Sequence, residues 1–144
     1  MITGVEIDFV VKDSKAALEQ YSSIFEVVIV EATDFKVGNN EAVFTIYGTR
    51  FHILDENPEY QLFAPKEDSN QSFWFNVVVP SIQVVFDKAV ATGATIIQPI
   101  TKMEEMGISN AMFSDSFGYV WMLHEIHQEV SFEDRIEILS EDFE

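Results

Sequence analysis

The chain has no cysteine, only six glycines and four prolines in 144 residues, and eight basic side chains against 25 acidic ones. Each shortage removes a class of protein. Without thiols there are no disulfides, no zinc ribbon and no thiol nucleophile. A formal net charge of −17 repels phosphate backbones and anionic lipid surfaces, which argues against nucleic acid and membrane partners. No apolar run is long enough to span a bilayer, and the opening MITGVEIDFVVKD lacks a basic region followed by a long apolar stretch, so a soluble cytoplasmic protein is the expectation. A glycine-rich phosphate loop and a nucleophile elbow are both missing.

What is present is a chain 47% hydrophobic, long enough for one domain or for two half-domains sharing a core. Val5–Val11 alternates apolar and acidic residues before turning apolar, as a strand with one buried face does. Asp13 or Ser14 then caps an amphipathic helix over Ser14–Ile24, with Ala16, Ala17, Leu18, Tyr21 and Phe25 at near-helical spacing. Phe25–Val30, Glu41–Tyr47 and Arg50–Asp55 read as strands, turning at Gly38-Asn39-Asn40 and Gly48-Thr49.

Glu56–Gln71 holds two prolines and no periodicity, and reads as a linker. After it the order repeats: strand Ser72–Val79, helix Ser81–Thr92 ending at Gly93, then strands Thr95–Gln98, Asn110–Asp115 and Tyr119–Ile126. The halves overlay at an offset of about 68 residues, placing Glu6 near Trp74 and RFHILDE (Arg50–Glu56) over YVWMLHE (Tyr119–Glu125). The predicted class is α+β, built from tandem βαβββ modules at residues 1–56 and 72–126 joined by a linker at 57–71. Thr101–Ser109 is a Met-rich connection able to close over a cavity. In the acidic tail at 127–144, a short helix is expected over Ser131–Glu144, packing on its own chain or across a homodimer.

Three stretches, VEIDFVVKDSKAALEQYSSIF, GTRFHILDENPE and DSFGYVWMLHE, resemble the vicinal-oxygen-chelate superfamily of glyoxalases, bleomycin-resistance proteins and extradiol dioxygenases, and within it the PhnB-like subgroup. The resemblance implies that each half curls into a cup and that the concave faces enclose a cavity. It also implies that metal-dependent members place one ligand on the first strand and one on the last strand of each half. Counting from the turns puts those positions at Glu6, Ile53, Trp74 and Met122. One carboxylate cannot hold a divalent ion against water, so a metal-free cavity with no cofactor is expected. A register shifted by two residues brings in Asp8, Asp55, Asn76 or His124, and the alternative is then a metal-dependent lyase, isomerase or dioxygenase.

Strand parity gives the ligand-facing set as Glu6, Asp8, Phe51, Ile53, Trp74, Asn76, Met122 and His124, with Val5, Ile7, Phe9, Phe73, Phe75 and Val77 as core under the helices. Glu6 and Asp8 share a face, and buried together they would raise each other's pKa or demand a cation. The run His124-Glu125-x-His127 looks like a metal motif, but parity sends His124 to one face and Glu125 and His127 to the other, where they read as solvated strand-end residues. The expected partners are a small molecule, cationic or amphipathic by the acidic balance, and a second copy of the chain.

Overall fold

Asp13 separates the first strand, β1 (Ile7–Val11), from the first helix, α1 (Ser14–Ile24). Its carboxylate accepts from Ala16 N at 3.1 Å and satisfies one orphan amide of the first turn. β2 (Val27–Ala32), β3 (Glu41–Ile46) and β4 (Thr49–Asp55) follow, and β1 pairs in parallel with β4 to give a mixed sheet in the order β1-β4-β3-β2. The β3–β4 hairpin turns through Tyr47 and Gly48, both at positive φ, so Ile46 pairs with Thr49 and the register of β4 is locked. α1 packs on β3 and β4. Beneath it, Phe9, Tyr21, Phe44, Phe51 and Ile53 form the core, with Phe44 and Phe51 stacked at 5.5 Å.

The computed structural model describes residues 1–143 and divides into two compact units, Met1–Gln71 with Ser116–Tyr119, and Ser72–Asp115 with the chain from Val120 onward. The turn at Ser116 belongs to the first unit because Gln20 grips it twice, Nε2 donating to Ser116 Oγ and Oε1 accepting from Ser116 N. Tyr119 completes the attachment, its ring 4.8 Å from Phe9 and its hydroxyl donating to Val10 O at 2.7 Å.

The second unit repeats the order with β5 (Phe75–Val78), α2 (Ile82–Ala91), β6 (Thr95–Met103), β7 (Ile108–Ser114) and β8 (Val120–Ile126), arranged β5-β8-β7-β6 with β5 parallel to β8. α2 lies over β6, β7 and β8, and Phe75, Val77, Phe113, Trp121 and Leu123 fill the space beneath. Trp121 donates its indole N–H to the buried Asp115 at 2.9 Å. α3 (Phe132–Phe143) follows, Ser131 Oγ accepting from Asp134 N at its start; of the helix expected over Ser131–Glu144, Glu144 lies outside the described residues.

Both sheets are mixed and four-stranded, and the α+β class expected from the element order is the one found. Three local expectations are corrected. β6 runs through Pro99 to Met103 instead of ending at Gln98, because an edge strand tolerates a missing N–H, and irregular register between Gln98 and Thr101 absorbs the proline. The supposed loop Thr101–Ser109 is therefore mostly strand, joined by a short 3-10 turn at Glu104–Met106. Val5, Ile7 and Phe73, expected in the core, are exposed: Val5 and Phe73 precede the first ladder positions of β1 and β5, and Ile7 is the end residue of β1.

Candidate functional site

In each unit one sheet face is covered by a helix and the other is not. Register decides which side chains stand on the uncovered face. In the second unit Asn76 pairs with Met122 and Val78 with His124, while Phe75, Val77, Trp121 and Leu123 point under α2. Asn76, Met122 and His124 thus share the uncovered face, and Trp74, 54% exposed, precedes them. His124 Nδ1 lies 2.6 Å from Asn76 Oδ1, an acceptor, so Nδ1 carries the proton and Nε2 remains an acceptor. Burial holds the pKa of His124 below its ordinary value, keeping the ring neutral at physiological pH.

The first unit departs from expectation. Asp8 pairs with His52, and Phe9 with Ile53, so the residues beside Glu6 and Asp8 are Arg50 and His52. Phe51 and Ile53 lie on the covered face, where Ile53 is completely buried. The cause is a one-residue slip: overlaying RFHILDE on YVWMLHE sets Ile53 on Met122, whereas the sheets set His52 there, and a slip of one exchanges the faces of a strand. The hairpin before β4 has two residues; the turn before β8, from Asp115 to Tyr119, is longer.

Arg50 and His52 are the site residues that the counting missed. Arg50 Nε donates to Glu6 Oε2 at 2.9 Å, and His52 Nδ1 donates to Glu6 Oε1 at 3.1 Å with Asp8 Oδ2 at 3.4 Å. His52 Nε2 is buried, makes no hydrogen bond, and stands 3.4 Å from Glu41 Oε1. The two carboxylates are driven apart in acidity. The Arg50 bond, against some desolvation, lowers the pKa of Glu6; desolvation and the bond with Glu6 raise that of Asp8. A groove of about 530 Å³ reaches Glu6 and Arg50 but not Asp8, lined by Met1–Glu6, Gly48, Thr49 and Arg50. Glu6, Asp8 and His52 each present a donor atom within 4.8 Å of the others, a set of oxygen and nitrogen donors suited to a divalent transition metal.

Asp55, which shares the face of Phe51 and Ile53, is 2% exposed and structural. It accepts from Ser14 N (2.6 Å), Gly38 N (2.8 Å) and Asn40 N (2.9 Å), closing the start of α1 onto the end of β4. Glu125 does the same for α2, accepting from Ile82 N at 2.9 Å, because the N-cap Ser81 makes no side-chain bond. Glu125 and His127 are therefore bonded groups and not solvated strand ends.

No protein-family model matches the chain, and no curated protein matches it. Solved structures do. The fosfomycin resistance protein FosX from Listeria monocytogenes, complexed with Mn(II) and sulfate, superposes with a TM-score of 0.67 at 17% identity over 96% of this chain and 99% of its own. A glyoxylase/bleomycin resistance protein/dioxygenase domain from Frankia gives 0.67 at 13% identity over 89% and 95%. TioX from Micromonospora gives 0.63 at 14% identity over 88% and 100%. The chain has the α+β fold of these proteins. Among its described residues no helix is long and apolar enough to cross a membrane.

Proposed function

We propose that this chain is a small-molecule-binding protein of the vicinal-oxygen-chelate superfamily, of PhnB-like type, non-catalytic or weakly catalytic, holding its ligand without a metal. One observation carries the reading: Asn76, Met122 and His124 share the uncovered face of β5 and β8, and the exposed Trp74 stands just before β5. An aromatic surface, a soft thioether and an oriented imidazole–amide pair are the usual furniture of a small-molecule site. The first unit, taken by itself, bears a polar face of its own, Glu6, Asp8 and His52, with Arg50 already supplying the cation that neighbouring carboxylates demand. The surplus acidity of that face, Glu41 included, favours a cationic or amphipathic ligand. The test is a thermal-shift screen of small molecules against the wild type and Trp74→Ala. Hits should vanish in the variant; hits that persist unchanged remove Trp74 from the site.

A second reading has its own observation. Glu6, Asp8 and His52 fit a divalent ion, and FosX is a metal complex in the same fold. A bound ion would act as a Lewis acid on a ligand oxygen. This chain's own part would be to hold the donors in place, with Glu6 released from Arg50. Elemental analysis together with thermal stabilisation by nickel, zinc, manganese or iron separates the readings. Self-association is also proposed, through apolar groups left exposed on the edge strand β2 (Val28, Ile29, Val30) and on α3 (Phe132, Ile136, Phe143). Sedimentation analysis tests it, and a monomer at all concentrations would refute it.

A further inference from the structure

The face of β8 opposite His124 carries a chain of groups that the ligand-binding reading does not use. Ser109 on β7 pairs in register with Glu125 on β8, and His127 lies two residues beyond. Ser109 Oγ is 2.7 Å from His127 Nε2, and His127 Nδ1 is 2.8 Å from Glu125 Oε2. A carboxylate only accepts, so Nδ1 carries the ring proton. In that tautomer Nε2 is the acceptor, and the hydroxyl of Ser109 donates to it. The polarity runs from acid to base to nucleophile, with each group oriented by the next.

The backbone around these groups is fixed from two sides. The other Glu125 oxygen accepts from Ile82 N at the start of α2, at 2.9 Å. Gly107 O accepts from His127 N at 2.7 Å and from Gln128 N at 3.1 Å, which pins the segment bearing the imidazole. Gly107 sits at φ +69°, and a Cβ there would stand 2.1 Å from Gln128 O, so this attachment requires glycine. Ser109 is 4% exposed, while the side chain of His127, bonded to it, is 35% exposed.

We propose that Ser109, His127 and Glu125 form a reactive centre separate from the ligand face, with Ser109 as a nucleophile toward small carboxylic esters. Ser109 Oγ bonds to the ester carbonyl carbon as its proton passes to His127 Nε2. The tetrahedral carbon then collapses, the bond to the alcohol oxygen breaks, and Nε2 returns the proton to that oxygen. Water repeats the sequence on the acyl-serine: its proton goes to Nε2, its oxygen bonds to the acyl carbon, the bond to Oγ breaks, and Oγ regains the proton as the carboxylic acid leaves. Glu125 is a positioning residue that holds the imidazole in the required tautomer.

The experiment treats the full chain with phenylmethylsulfonyl fluoride and with 4-nitrophenyl acetate, reading intact mass, peptide map and nitrophenol release. A single adduct on Ser109 is expected, absent in Ser109→Ala and formed about 100-fold more slowly in His127→Gln. Glu125→Gln should slow labelling without lowering the melting temperature to the same degree as Gly107→Ala, a separation that a merely structural role of Glu125 would not produce. No adduct on the wild type, an adduct elsewhere, or labelling of Ser109 at the same rate in His127→Gln overturns the proposal.

Discussion

Replacing Asp55 by asparagine removes a charge that three backbone amides were built to receive. The amide oxygen can face Gly38 N and Asn40 N or face Ser14 N, and the side carrying the NH2 group then meets a donor. The better orientation keeps two bonds, weakened from charged to neutral, and orphans Ser14 N in the first turn of α1. One unsatisfied buried donor and two weakened bonds together cost about 3 to 4 kcal/mol. Against a total stability of roughly 5 to 15 kcal/mol, the variant folds but melts early. Acid supplies the control. Burial by itself pushes the Asp55 carboxyl up, but the bonds from Ser14, Asn40 and Gly38 outweigh it and leave the pKa below the ordinary value. Stability from a depressed carboxylate is present in full above the unfolded value of about 3.9 and is lost as pH falls through the folded value. The gap between wild type and Asp55→Asn should therefore be widest at neutral pH and close in stronger acid. Urea unfolding followed by circular dichroism across that range measures it. A cost below about 1 kcal/mol at neutral pH, or a gap that does not shrink on acidification, would refute the reasoning.

Other outcomes follow from the same contacts. Tyr119→Phe loses the 2.7 Å bond to Val10 O and should cost about 1 kcal/mol in urea unfolding, with no change in any ligand hit. Trp74 is exposed and Trp121 fully buried, so Trp74→Phe should remove the red-shifted part of the intrinsic fluorescence and, with it, any quenching by ligand. If manganese raises the melting temperature of the wild type, His52→Ala should abolish the rise; an equal rise in the variant would place the ion elsewhere.

The sequence carried the element order because its signals are local: alternation in Val5–Val11, Asp13 ahead of the helical spacing, and Gly93, which does adopt positive φ. Register was less visible. β4 is apolar at Phe51, Ile53 and Leu54, on both faces, so hydrophobic pattern alone does not say which side of it meets Asp8, and one residue of slip put Ile53 where His52 stands. The run through Pro99 was unreadable for a related reason, since only the sheet order shows that β6 is an edge. Parity correctly separated His124 from Glu125 and His127. It gave no sign of Ser109, which reaches them only through the pairing of β7 with β8.

Native mass spectrometry of the purified full chain tests most directly whether a small molecule is held without a metal, because it reads both at once. An organic adduct is expected on the wild type and missing from Trp74→Ala, with no metal mass on either. A stoichiometric metal mass on the wild type that is removed by chelator and absent from His52→Ala would contradict it.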